Sequence, residues 1–252
     1  MKIPIFVAGY PKSGTTWLTR LLGEVLHSPT GGSIPRLDNT EIATEGQDRV
    51  SNYVIRKGHF VIDQENTSKW GTRAHLLSPN DLTIFQAVHI VRDPRDIAVS
   101  AAFHWSMSMN QIVHNMIKGS NNFRFCGPWA EYVDSWIDVD PAVLIVRYED
   151  LLLDGITTIS RILREFEITP NKRKIEEAYE KQKFSVRKAH VEKFGASYPL
   201  GLDFNVKFMR KGESGDWVNY FNKQLAFEAE VHFGSLLRKF GYESDINWWN
   251  RL

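Results

Sequence analysis

Residues 3–17 read Ile3-Pro4-Ile5-Phe6-Val7-Ala8-Gly9-Tyr10-Pro11-Lys12-Ser13-Gly14-Thr15-Thr16-Trp17. The first six are a short apolar run of the kind that makes a buried parallel strand. From Leu18 to Leu26, Trp17, Leu21 and Val25 recur every four residues, as do Leu18, Leu22 and Leu26. That spacing predicts one apolar helical stripe. Strand, glycine-bearing turn and helix together aim backbone N–H groups and a helix N-terminus at one point, where a phosphate binds well. On spacing alone an ordinary Gly/Pro turn between two elements stays open.

The turn nearly matches a Walker A loop. Gly9 and Gly14 have the required separation and Thr16 stands at the final Ser/Thr position, but Thr15 replaces the lysine. A lysine stands inside the loop instead, at Lys12. A phosphate cradle with its cation moved across the turn fits ATP–magnesium chemistry poorly.

Composition narrows the partners. The 252 residues carry 31 basic and 30 acidic side chains, a net charge of +1. No bulk field draws the chain to nucleic acid or an anionic membrane, so anion binding must come from local clusters. At 42% hydrophobic and 24% charged the chain has an ordinary globular composition, long enough for one large α/β core or two small domains. Its single cysteine, Cys126, has no intrachain partner and fits a reducing compartment. No run reaches the ~18 apolar residues of a membrane span, and no signal-peptide pattern is seen, so the expected location is cytoplasmic. No Cys/His cluster has zinc spacing, and no clear acidic partner for magnesium stands beside the loop, so no metal is expected.

Further along, residues 28–58 read as a loop-rich excursion with weak patterning. His59 to Ile62 reads as a short strand. Phe85 to Val91 is a second apolar strand, running into Arg92-Asp93-Pro94-Arg95-Asp96. There Asp93 is a natural N-cap, Pro94 suits the first helical position, and Asp96 has the spacing to reach back in a capping box. This puts Arg92 at a strand end and Ser100 two turns into the helix, both facing the crevice where α/β sheets bind ligands. Residues 106–127 read as a loop or a helix. Trp129, Val133 and Trp136 share one helical face and read as core. Ala142 to Arg147 is a third strand, Ile156 to Phe166 a helix packed on the sheet, Lys172 to Lys193 a solvated helical region, and Leu225 to Phe240 an amphipathic helix.

Tyr10 to Trp17 resembles, nearly letter for letter, the 5′-phosphosulfate loop of the sulfotransferases that use 3′-phosphoadenosine 5′-phosphosulfate (PAPS). Arg92 with Ser100 eight residues on is similar to that family's 3′-phosphate motif. Phe208-Met209-Arg210-Lys211-Gly212, followed by Gly215-Asp216-Trp217, matches its Arg-Lys-Gly and Gly-Asp-Trp segments. Tyr148-Glu149-Asp150 resembles a tripeptide whose tyrosine contacts adenine. Phe184 stands where a phenylalanine stacks on the base opposite the loop tryptophan, here Trp17. The family's general base is the histidine of a Lys-Thr-His-like segment at a strand end. Arg73-Ala74-His75 is taken as its counterpart, although a lone histidine is more often packed or on the surface.

The resemblance implies a single domain, 1–252, with an α/β fold like that of the P-loop nucleotide hydrolases, a three-layer sandwich with a central, mainly parallel sheet. It implies a sulfotransferase moving a sulfuryl group from PAPS to a hydroxyl or amine of a small acceptor, releasing PAP. His75 would be the base and Lys12 the cation on the leaving phosphate. The implied nucleotide-binding set is Lys12, Ser13, Gly14, Thr15, Thr16, Trp17, Arg92, Ser100, Tyr148, Phe184, Phe208, Met209, Arg210, Lys211 and Gly212. The family's dimer motif is not matched, since Val218, Asn222-Lys223 and Phe227 occupy its places. Two other readings stand beside this one: a P-loop phosphotransferase acting on a nucleotide or small molecule, and a PAP-binding protein without catalysis. Acceptor identity is left open, because substrate choice in such folds lives in loops.

Overall fold

A computed structural model describes residues 2–31, 43–46, 48–62, 75–77, 86–119, 126–137, 139, 143–194 and 210–252; for Ala43–Glu45, His75–Leu77, Val191 and Phe194 it describes the backbone alone. The apolar run at the start of the chain forms β1 (Ile3–Ala8), and the stripe after the turn forms α1 (Thr15–Val25). Then come β2 (Thr30–Gly31), β3 (Ala43–Glu45), β4 (Tyr53–Gly58), β5 (Phe60–Ile62), β6 (His75–Leu77) and β7 (Gln86–Val91). The helices α2 (Pro94–Trp105), α3 (Met109–Lys118) and α4 (Trp129–Ile137) precede β8 (Leu144–Arg147). The remainder is α5 (Tyr148–Glu165), α6 (Lys172–Gln182), α7 (Phe184–Phe194) and α8 (Lys223–Lys239), with short 3₁₀ turns at Asp216–Asn219 and Trp248–Arg251.

The main sheet has the order β3-β2-β4-β1-β7-β8, parallel except for the β2–β3 pair. A parallel pair, β5–β6, stands apart, with Phe60 opposite His75. Side chains alternate along β1, and each face has its own core. Ile5 and Val7 join Val88, Ile90 and the buried sides of α1, α5 and α6. Phe6 and Ala8 join Ala87, Val91 and the buried sides of α2, α3, α4 and α8. Helices therefore cover both faces, which makes the three-layer α/β sandwich that the sequence implies.

The loop-rich reading of residues 28–58 needs correcting. Tyr53–Gly58 is a central strand, pairing in parallel with β1 from Ile3↔Tyr53 to Ala8↔Gly58. Its last two side-chain-bearing residues, Arg56 and Lys57, are cationic, and this hid a buried strand that normally reads as an apolar run. Residues 106–127 include a true helix, α3, whose start carries a capping box between Ser108 and Gln111.

Register explains the site. Ala8 pairs with Gly58, and Val91 pairs with Arg147. Gly9, His59, Arg92 and Tyr148 therefore each follow directly on the carboxyl end of a neighbouring parallel strand, along the edge where ligands bind in this architecture.

Candidate active site

Along that edge lies a cavity of about 600 Å³, within the usual range of small-molecule sites. Its lining draws on three of the cationic segments read from the sequence, those of Lys12, Arg92 and Arg210-Lys211. The turn supplies Lys12, Gly14, Thr15, Thr16 and Trp17; the residue after β7 supplies Arg92 and α2 supplies Ser100; the start of α5 supplies Tyr148; the start of α7 supplies Phe184; and the loop before the 3₁₀ turn supplies Arg210, Lys211 and Gly212. Ser13 lies in the same turn but is buried beneath the surface. Phe208 and Met209 fall outside the described residues. His75 begins β6, its backbone opposite Phe60, and its side chain lies outside what is described.

The turn is shaped for an anion. Lys12 and Gly14 both adopt left-handed backbone, with φ of 74° and 98°. At Gly14 a Cβ would meet the Tyr148 ring at 2.6 Å, so only glycine fits. No side chain caps α1, whose first N–H groups point out of the turn. Thr16 Oγ1 accepts a hydrogen bond of 2.8 Å from Lys57 Nζ, at the end of β4. Lys12 is crowded by like charge. Burial first, then Arg92 and Lys57, pull its pKa down to about 7.

Arg92 spans two segments. Its guanidinium donates to the Lys12 carbonyl at 3.2 Å and the Glu213 carbonyl at 3.0 Å, and lies 4.2 Å over the Tyr148 ring. Its Nε is buried and has no hydrogen-bond partner among the described residues. Arg210 and Lys211 form ion pairs of 2.5 and 2.7 Å with Asp216. Burial acts to raise the Asp216 pKa, but Lys211, Asn219 and Arg210 outweigh it and hold the carboxyl near 2. The expected capping box of α2 is not made as read. Asp93 caps the helix, accepting from Arg95 N at 2.9 Å, while Asp96 accepts from Gly215 N at 2.6 Å and Trp217 N at 3.0 Å. Two amides of another loop outcompete the single local one.

The far end is aromatic. Trp17 donates to the Gln182 carbonyl at 2.9 Å and stands edge-on to Tyr148, 5.6 Å away. Phe184 packs against Gly212, where φ is 71° and a Cβ would meet the ring at 2.4 Å. Cations therefore gather in two places, with a ring-lined space also in the cavity. An adenosine carrying separate phosphates at its 5′ and 3′ ends has that arrangement of charge and flat surface.

The described lining includes two histidines, His59 and His104. His59 follows β4, and its Nδ1 lies 2.6 Å from the Gly9 carbonyl. A carbonyl only accepts, so Nδ1 carries the hydrogen and the lone pair falls on Nε2. The sequence reading missed His59 in the lining and Lys57 beside it, as well as the lining residues Arg20, Tyr179, Lys183 and Arg187. For the first two a signal existed: Tyr53-Val54-Ile55 followed by Lys57-Gly58-His59 is a strand ending in a lysine and a histidine two apart.

A family model for the sulfotransferase domain matches residues 2–241. The chain belongs to the sulfotransferase family. Mouse sulfotransferase 2A6 is 27% identical over 239 residues, spanning 86% of this chain and 78% of its own length. Human sulfotransferase 1E1 is 24% identical over 261 residues, 93% of this chain and 84% of its own. Among solved structures, mouse sulfotransferase SULT7A1 complexed with PAP superposes with a TM-score of 0.69 at 21% identity, covering 98% of this chain and 87% of that one. Retinol dehydratase in complex with retinol and PAP gives 0.66 at 20% identity, covering 94% and 82%. Likeness at that identity establishes the sulfotransferase fold. Among the described residues, no helix is long and apolar enough to cross a membrane, and no cluster of His, Cys, Asp or Glu has metal-holding geometry.

Proposed function

We propose that this sulfotransferase transfers the sulfuryl group of PAPS to a hydroxyl or amine of a small acceptor by a single in-line displacement. The observation that carries the reading is the convergence of three cationic segments, distant in sequence, on one cavity with an aromatic wall. Its residues fit the nucleotide. The turn and Lys12 suit a 5′-phosphosulfate, Arg92, Ser100, Arg210 and Lys211 suit a 3′-phosphate, and Trp17, Tyr148 and Phe184 offer flat surface to adenine.

In this mechanism Lys12 and the N–H groups at the start of α1 stabilise charge that grows on the leaving 5′-phosphate. A cation held near neutrality by its neighbours gains its proton most favourably where an anion develops. The acceptor's proton goes to His59 Nε2, the ring nitrogen whose lone pair the Gly9 contact assigns. Lys57-Gly58-His59 differs from the family's Lys-Thr-His pattern at its middle residue alone. Glycine is required there because a Cβ on Gly58 would meet the Phe60 ring at 1.9 Å. The sequence reading gave the role of base to His75. His59 takes it in this proposal because its ring lines the cavity.

The test is a titration with PAP in the absence of metal, beside ATP with magnesium and adenosine 5′-phosphosulfate, followed by turnover of PAPS on a panel of acceptors. Tight PAP binding that weakens when the 3′-phosphate is missing supports the divided site. Binding of ATP only, and only with magnesium, would replace it with a phosphotransferase. Loss of the base should lower kcat by roughly 10²–10⁴. His59→Ala with wild-type kcat, and His75→Ala without it, would return the role to His75.

A further inference from the structure

Two carboxylates lie beside the proposed 3′-phosphate site, where they should repel the ligand. Asp96 is 2% exposed and Asp216 is 7% exposed. Burying an acid close to a phosphate is costly unless the acid does something the phosphate needs.

Asp96 sits on α2 midway between Arg92 and Ser100, four residues from each. Its two oxygens accept from Gly215 N and Trp217 N, the amides on either side of Asp216. Arg92 adds a third tie to the same loop through the Glu213 carbonyl. The side chain of Asp216, set in place by those amides, pairs with Arg210 and Lys211. A continuous chain of contacts therefore runs from the helix that carries Ser100 to the two cations on the opposite loop. On the loop's side all three ties are to backbone groups, and packing of Arg95 on Trp217 and of Arg210 on Phe103 adds to them.

We infer that Asp96 is a positioning residue for the 3′-phosphate. It registers the loop of residues 210–217 on α2, so that Arg210 and Lys211 meet Arg92 and Ser100 around one anion. Without it the two halves of the clamp become independent, and closing them costs binding energy that the wild type has already spent in folding. Hydrogen bonds to charged groups carry most of the effect, since each is stronger than a neutral one. This assignment rests on the two-phosphate reading of the cavity given above.

The experiment compares PAP with adenosine 5′-monophosphate, which lacks the 3′-phosphate, on wild type, Asp96→Asn and Asp96→Glu. Asparagine keeps the shape but replaces one acceptor with a donor that faces an amide. Glutamate keeps the charge and moves it by one methylene, so it guards against a failure of the first variant to fold. PAP affinity should fall by roughly 10- to 100-fold in Asp96→Asn, and by less in Asp96→Glu, with the monophosphate affinity changed less than threefold. A merely structural role would weaken both ligands together, and that result overturns the assignment. So does an unchanged preference for PAP in both variants. Wild-type protein that binds the two ligands equally overturns the two-phosphate reading itself, and the role of Asp96 with it.

Discussion

Lys12 is the residue whose chemistry is most exposed to measurement. Its pKa of about 7 in the free protein comes from burial and from the nearby charges of Arg92 and Lys57. A bound phosphate offsets those charges and raises the pKa again, so binding takes up a proton at any pH between the two values. The sign follows: PAP affinity should fall as pH rises from 7.5 to 9.5, by up to tenfold per unit. Calorimetry in buffers of different ionisation enthalpy should show proton uptake. Lys12→Met should flatten the slope while leaving the thermal transition close to wild type, and a wild-type affinity that is already flat over that range rules out a lysine poised near neutrality. Lys12→Ala should lower turnover far more than folding stability. Equal turnover in that variant removes Lys12 from the mechanism.

At the scale of elements, α2 organises one half of the site, and its start shows how much the sequence reveals. Asp93 at the N-cap and Pro94 in the first turn were legible because capping is a local rule. The partners of Arg95 were not. Its guanidinium is bidentate to Asp93, pairs with Glu243 at 2.6 Å, and packs on the rings of both Trp217, 3.8 Å away, and Trp248, 4.4 Å away. Glu243, Trp217 and Trp248 come from segments more than a hundred residues away, and no spacing rule links them to Arg95. The same limit hid the role of Asp96, whose local capping pattern was as good as its distant one. It also hid β4, because Arg56 and Lys57 end that strand beside the ligand cavity and break its apolar run. Asp93→Ala should therefore cost more than an ordinary cap. A cap alone is worth about 1 kcal/mol, whereas stripping a buried ion pair of one partner costs roughly 3–5 kcal/mol. Glu243 retains part of the pairing, so a loss of about 3 kcal/mol in urea unfolding is expected. A loss under about 1 kcal/mol would mean that the tryptophans and Glu243 hold Arg95 unaided.

For the whole molecule, the two cores meet at the central sheet, and one group inside it couples global stability to pH. His89 lies in β7, fully buried, with its ring stacked parallel to Trp136 at 5.3 Å. Neither ring nitrogen has a hydrogen-bond partner among the described residues, and burial drives the pKa down to about 3. In the unfolded chain the same ring titrates near 6.5. Between those values the unfolded state holds the proton and the folded state does not. Stability is thus fully present above about 6.5 and is lost as pH falls toward 3, by at most about 1.4 kcal/mol per unit. Asp96 and Glu149, whose pKa values burial raises, act with the opposite sign in the carboxylate range and offset part of the loss there. Asp216, held near 2, adds its own loss only below about 4. Among these four groups, the window from 6.5 down to about 5 therefore belongs mainly to His89. His89→Leu should flatten urea-unfolding stability across that window. At pH 7 the variant gives up a stacking contact worth about 0.5–1.5 kcal/mol and relieves two buried nitrogens that cost about 1–3 kcal/mol each when unpaired. The balance favours the variant, so it should be at least as stable as wild type at pH 7 and more stable at pH 5. A variant as acid-sensitive as wild type between pH 7 and 5 would place the titrating group elsewhere, and a large loss at pH 7 would show that the ring nitrogens have partners after all.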